Sequence, residues 1–311
     1  MCAYKYIFTI HGITGTVGFL FEEIVSTISE YFLSIICGAI ALVFVAALIN
    51  RMKLSRKGWV NFEVYKKDWR MSHMYDQRIE KGAHPFLDRW LKFNFVLGKS
   101  LATIGFSPNL TSLLALILSI ASAFYFIQAG TMIPDNLLLS DLFFALAVAF
   151  LLLSGLADIL DGAVARLTYS STPFGDLLDD VADKYSDAIV IISIIYAGLC
   201  DPFIGLAALL GSLLVDYARA RTMSLGLRRT KVTIGERPFR MLLISSAVAF
   251  QFVAQLSVAL DIKVPIGEDI YLHTPFLNTV WWSILILAVI THFSTIHLAL
   301  HARRNLPNQL S

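Results

Sequence analysis

Asp158, Asp161, Asp179 and Asp183 flank the end of one apolar segment and the start of the next. With Gly162, Ala165, Arg166 and Gly175 they form the pattern D-x2-D-G-x2-A-R-x8-G-x3-D-x3-D. Spacings of three and four residues place each aspartate pair on one helix face. Two neighbouring helices can therefore offer four carboxylates to one point. A carboxylate at the centre of a membrane helix costs about 2.5–3.5 kcal/mol on insertion scales, so such a group requires something positive to neutralise it. Oxygen ligands without His or Cys suit a hard ion, Mg2+ or Mn2+, and four carboxylates suffice for two ions that share ligands. Gly162, Ala165 and Gly175 would let a bulky ligand approach the backbone, and Arg166 supplies a cation at the same mouth.

The surrounding chain must hold these residues at a membrane. Of its 311 residues 57% are hydrophobic and only 15% are charged, with a mean hydropathy of +0.68. That composition sets aside a soluble protein and predicts an all-α, multi-pass integral membrane protein. Seven apolar segments are long enough to cross, near 31–50, 109–129, 142–165, 175–199, 203–218, 240–261 and 278–300. Cys2, Cys37 and Cys200 are scattered and offer neither a disulfide framework nor a zinc site. The net charge of +2 says little about partners; no nucleic acid is expected.

Lys and Arg placement orients the segments. Twelve basic residues lie between the first and second segments, from Arg51 to Lys99. The loops 130–141 and 200–202 have none, while Arg219, Arg221, Arg228, Arg229, Lys231, Arg237 and Arg240 follow the fifth segment. The loop 262–277 has only Lys263, and Arg303 and Arg304 close the chain. This alternation predicts an outside N-terminus, an inside C-terminus, and the aspartates at the cytoplasmic leaflet.

Four regions are expected: 1–50 with the first membrane helix, a basic and aromatic stretch 51–98, a six-helix membrane domain 99–304, and a tail 305–311. Within 51–98 the run around Phe86, Trp90 and Phe93 suits an amphipathic helix in the headgroup layer. Gly105, Pro108, Asn109 and Thr111 form G-x-x-P-N-x-T, a turn into a helix start in which Asn109 or Thr111 is available to cap or to meet a ligand.

The aspartate pattern resembles the signature of the CDP-alcohol phosphotransferase family at every fixed position. The likeness spans roughly 85–304, leaving the segment 31–50 as an addition to a six-helix core. It implies transfer of a phosphatidyl-type group from a CDP-linked lipid to an alcohol, with CMP leaving. It further implies Asp158, Asp161 and Asp179 as metal ligands, and Asp183 as a metal-proximal general base. Gly162, Ala165, Arg166 and Gly175 would contact the cytidine diphosphate, Asn109 and Thr111 can face the nucleotide, and a homodimer is implied.

For the acceptor, Arg219, Arg221, Arg237 and Arg240 suit a phosphate, because guanidinium forks match its oxygens. The runs Y-x-R-A-R and E-R-P-x-R are similar to the inositol-phosphate branch of the family, which includes the phosphatidylinositol-phosphate and archaetidylinositol-phosphate synthases. That branch generally carries a further arginine in its last helix; Ser294–Leu298 here has none, though it has His297. Glycerol phosphate, serine or another small alcohol is the alternative acceptor. A cation transporter using the aspartates as an ion site is the alternative from another class.

Overall fold

The computed structural model describes residues 16–53, 60–72, 85–133, 136–227, 237–259, 265–267, 270–271 and 279–305. Among these the fold is helical: α1 (Thr16–Lys53), α2 (Phe62–Ser72), α3 (Pro85–Ile104), α4 (Pro108–Met132), α5 (Leu137–Thr168), α6 (Pro173–Tyr196), α7 (Pro202–Ser224), α8 (Arg237–Ala259) and α9 (Thr279–Asn305). The departure from an all-helical chain is a short antiparallel pairing of β1 (Pro265–Gly267) with β2 (Ile270–Tyr271). Trp59, Arg56, Lys57, Arg78, Lys81, Arg228, Arg229, Lys231, Lys263 and the tail from 306 lie outside the described residues.

Among the described residues five stretches are long and apolar enough to cross a bilayer: Glu30–Arg51, Pro108–Met132, Leu138–Thr168, Pro202–Ser224 and Thr279–Asn305. The chain is an integral, multi-pass membrane protein. Their outward faces are apolar, as at Leu42 and Val45 of α1, Leu152 and Leu153 of α5 and Phe293 of α9, all exposed, which is the pattern lipid selects. The remaining two expected spans coincide with α6 and α8; α6 concentrates its charge between Asp176 and Asp187.

The chain divides into two compact units, and the division passes through α1, α4, α5 and α6. One unit comprises Thr27–Leu118 and Leu153–Asp183. Its core joins α2, α3 and the second half of α5 through Val60, Tyr65, Leu91, Leu160, Ala163 and Leu167. A Cβ on Gly98 of α3 would lie 2.9 Å from the Cβ of Ala163, so these helices cross with no room to spare. Within the same unit α1 docks on the α3–α4 turn. Asn50 Nδ2 donates to the Gly105 carbonyl (2.7 Å), and Phe44 meets Phe106 edge to face. Gly105 has φ +115°, and a Cβ there would approach the Ala47 carbonyl oxygen to 2.1 Å; only glycine satisfies both demands.

The second unit includes the described parts of Ser119–Leu152 and of Lys184–Ser311. Phe126, Phe144, Ile191, Ile194, Val248, Ile284 and Leu287 are among its core residues. Asp201 caps α7 by accepting from the backbone N–H groups of Phe203 and Ile204, with Pro202 in the first turn. Serine hydroxyls tie α4 to α5 within each unit, Ser154 to the Ala115 carbonyl (2.8 Å) in one and Ser122 to the Ala147 carbonyl (2.7 Å) in the other. Such bonds give polar groups partners where lipid offers none.

Candidate active site

The pattern residues come together because α5 and α6 are joined by a tight reversal. Tyr169 adopts φ +51° just beyond α5, and the Ser170 N–H donates to the Ala165 carbonyl (3.1 Å), the bond of a Schellman helix end. Thr172 then starts α6, its hydroxyl accepting from the Gly175 N–H (3.0 Å), with Pro173 as the first helical residue. Four residues therefore separate a helix that carries aspartates in its last turns from one that carries them in its first.

Asp158, Asp179 and Asp183 are half-buried, and each offers a carboxylate oxygen lying within 4.8 Å of the other two. Asp161, only 7% exposed, accepts a hydrogen bond from the Ser112 hydroxyl of α4 (2.6 Å). Its carboxyl also lies in hydrogen-bonding reach of Asp179 and feels Asp158. Carboxylates this close cannot all stay ionised unless a cation or proton sits among them. The donor set is oxygen only, and a hard divalent ion fits it. Asp180 is exposed on another face.

Of the surrounding pattern residues, Gly162 serves Arg166. A Cβ on Gly162 would lie 3.2 Å from Arg166 Nη2, so the missing side chain makes room for the guanidinium one helical turn on. Gly175 sits where the starts of α4 and α6 meet, its missing Cβ 3.1 Å from Thr172 Oγ1 and 3.2 Å from Asn109 Oδ1. Asn109 therefore faces the site. The cap of α4 is Ser107 rather than Asn109 or Thr111, because Pro108 occupies the first helical position. The Ser107 hydroxyl accepts from the Leu110 N–H, and the buried Thr111 hydroxyl is committed to the Ser107 carbonyl (3.0 Å). Ser112 was not anticipated; its only signal in the sequence is a small hydroxyl one residue beyond G-x-x-P-N-x-T.

The four candidate acceptor arginines lie in the second unit. Arg219 is half-buried and Arg221 exposed, with Arg221 Nη1 donating to Ser224 Oγ (3.4 Å). Arg237 and Arg240 are 7% and 2% exposed. Arg240 spans two carboxylates, Asp187 of α6 and Asp216 of α7 (3.1 Å). Asp216 also takes Lys184 Nζ (2.9 Å), and Arg237 Nε lies 3.7 Å from Asp187. Asp187 thus satisfies a neighbouring helix. Arg237, Arg240, Asp187, Ser119 and Ser186 border a small cavity.

The pattern that defines the CDP-alcohol phosphatidyltransferases matches residues 106–293, well over half of the chain. The chain belongs to this family. An archaetidylinositol phosphate synthase of Methanothermobacter thermautotrophicus is 46% identical over 96 residues, covering 31% of this chain and 49% of that one. One from Pyrococcus horikoshii is 31% identical over 157 residues, covering 50% of this chain and 77% of the relative. The chain thus spans about half the length of the first relative and about three quarters of the second. A crystal structure of Mycobacterium tuberculosis phosphatidylinositol phosphate synthase with CDP-DAG bound is 21% identical, with a TM-score of 0.49 over 71% of this chain and 98% of that one. As a CDP-alcohol phosphatidyltransferase the chain is an enzyme, a transferase of phosphate-containing groups. The transporter alternative falls with that membership. α1, α2 and α3 precede the matched residues.

Proposed function

We propose that this enzyme transfers a phosphatidyl-type group from a CDP-activated lipid, CDP-diacylglycerol or its ether-linked counterpart, to inositol phosphate, releasing CMP. The observation that carries the reading is the convergence of Asp158, Asp179 and Asp183, with Asp161 braced by Ser112 beside them. These four aspartates would hold two Mg2+ or Mn2+ ions, which when bound offset the negative charge of the donor diphosphate and of departing CMP. Asp183 takes the proton from the acceptor hydroxyl. The freed oxygen attacks the lipid-bearing phosphorus, the P–O–P bond breaks, and CMP leaves with the bonding electrons. Ser112 fixes the rotamer of Asp161. Asn109 and Gly175 border the nucleotide, and Arg166 brings a guanidinium to the diphosphate.

Inositol phosphate is favoured as acceptor by the relatives named archaetidylinositol phosphate synthases and by the runs Asp216–Arg221 and Glu236–Arg240. Arg219, Arg221 and Arg237 are the candidate phosphate ligands. Arg240 already has two carboxylates and acts in support. Glycerol phosphate, serine or another small alcohol as acceptor is the second reading, favoured by the lack of arginine in Ser294–Leu298. With α6 and α8 added to the five apolar spans, seven helices cross the membrane, the active site faces the cytoplasmic leaflet, and the enzyme is a homodimer.

The test is CMP release by purified protein in detergent, with either CDP-lipid and Mg2+ or Mn2+. Inositol 1-phosphate, inositol, glycerol 3-phosphate and serine are offered singly. Turnover with inositol 1-phosphate, abolished by EDTA, is expected. Turnover only with another acceptor would overturn the acceptor assignment, and EDTA-resistant turnover would overturn the metal assignment.

A further inference from the structure

Tyr65 lies on α2, in a stretch that precedes the family-matched residues 106–293. It is nevertheless among the most deeply buried large side chains of the molecule, 1% exposed. Val60, Leu91, Leu160, Ala163 and Leu167 share its cluster, so α2 is held against the part of α5 that carries the aspartate pattern. Lys66 of α2 bonds Asp88 of α3 (2.7 Å), and Phe62 and Tyr65 both meet Phe95 edge to face. This short helix is therefore fixed in place rather than loosely apposed.

The guanidinium of Arg166 lies over the Tyr65 ring, with its carbon 5.6 Å from the ring centroid. The positive charge of the same guanidinium also acts on the phenol. On its own helix it lies over the bare backbone of Gly162. Arg166 Nε is buried and has no hydrogen-bond partner among the described residues. A long side chain normally loses considerable rotamer entropy when it binds an anion. Here an aromatic face and a glycine fix the guanidinium beforehand while part of its donor capacity stays unspent.

We propose that Tyr65 is a positioning residue of the nucleotide subsite, holding the Arg166 guanidinium so that its N–H fork meets the diphosphate of the CDP-lipid donor. This rests on the donor reading given above. The segment ahead of the family core thereby contributes to donor affinity without touching the reacting atoms. Burial raises the pKa of the Tyr65 phenol, and the charge of Arg166 pulls it partly back; a neutral phenol keeps both its ring and its hydroxyl available to the cation.

The experiment measures CDP-diacylglycerol binding to the purified full-length protein, together with donor and acceptor KM, for wild type, Tyr65→Leu, Tyr65→Phe, Arg166→Ala and Tyr65→Leu/Arg166→Ala. A cation–π contact at a partly desolvated site corresponds to about a fivefold change in affinity. Tyr65→Leu is therefore expected to raise donor Kd and KM about fivefold and to leave acceptor KM unchanged. It should add nothing in the Arg166→Ala background. Tyr65→Phe, which keeps the ring and the packing, should show a smaller rise confined to the donor. An unchanged donor KM in folded Tyr65→Leu overturns the inference, as does an equal rise with and without Arg166. If Tyr65→Leu does not fold, an unchanged donor KM in Tyr65→Phe overturns it. Wild-type protein that neither binds nor consumes either CDP-lipid overturns the donor reading itself, and does so before any variant is made.

Discussion

Replacing Arg240 by methionine should destabilise the fold before it alters chemistry. Arg240 is 2% exposed, and the carboxylates it joins, Asp187 and Asp216, have side chains 12% and 11% exposed. Methionine fills similar volume, so loss of charge dominates over loss of packing. Removing one partner of a buried pair costs about 3–5 kcal/mol, because the other charge stays buried. Lys184 remains on Asp216 at 2.9 Å, and Arg237 remains 3.7 Å from Asp187, which places the expected loss near the lower end, about 3 kcal/mol. Asp187→Asn in the Arg240→Met background removes the stranded charge and should recover at least half of that loss. The assay is equilibrium unfolding in mixed detergent micelles, followed by tryptophan fluorescence, for wild type and the two variants. A loss below about 1 kcal/mol, the size of an exposed ion pair, would refute the reasoning. So would an Asp187→Asn change that brings no recovery. The consequence for function is direct: lost activity in Arg240 variants measures helix assembly unless the folded fraction is counted.

Asp183→Asn should lower CMP release by about 100- to 10,000-fold, the span of a general base, while CDP-diacylglycerol binding persists; release at the wild-type rate would remove Asp183 from the mechanism. Ser112→Ala deletes a hydrogen bond to a buried carboxylate, a contact of about 1.5–3 kcal/mol. It should raise the Mg2+ concentration needed for half-maximal turnover, and an unchanged Mg2+ titration would show that Asp161 needs no brace. Gly105→Ala forces a Cβ to 2.1 Å from the Ala47 carbonyl oxygen at φ +115°. It should abolish or sharply reduce the yield of folded protein in detergent size-exclusion, and normal yield and stability would contradict the docking of α1 on that turn. Chelation by EDTA should stop turnover, with recovery on adding Mg2+ or Mn2+ but not Ca2+, whose larger, looser coordination suits the crowded carboxylates poorly.

What could be read from the sequence was local and periodic. The aspartates declare themselves because spacings of three and four have one meaning on a helix, and because carboxylates in apolar runs are costly enough to demand a reason. The five strongest spans follow from apolar runs long enough to cross a bilayer, which need no tertiary information. The turn between α5 and α6 shows part of itself through Thr172 and Pro173, but Tyr169 gives no hint of its positive φ, since glycine or asparagine normally marks that position. Contacts between distant parts of the chain stayed hidden. Neither Tyr65 over Arg166 nor Asn50 on Gly105 has a spacing that any helical period would flag. One of the four arginines that suit an acceptor phosphate, Arg240, is engaged by Asp187 and Asp216, partners that lie on other helices.

Gly162 shows how a residue singled out in the sequence can carry a different physical reason. A glycine between metal-ligating aspartates suggests space for a ligand to approach backbone, but the space is taken by the Arg166 guanidinium lying back over the helix. Alanine there would set a Cβ 3.2 Å from Nη2, close enough that the guanidinium must shift by a few tenths of an ångström. Nη2 is the far end of a flexible side chain, so the helix itself would tolerate the methyl group. The displacement would fall on the contact of the cation with the Tyr65 ring. Gly162→Ala and Tyr65→Leu should therefore weaken the donor for the same reason, and the two together should cost less than their sum. A fully additive pair would mean that the glycine and the tyrosine act on separate things, and would return Gly162 to the role of clearing space for the nucleotide.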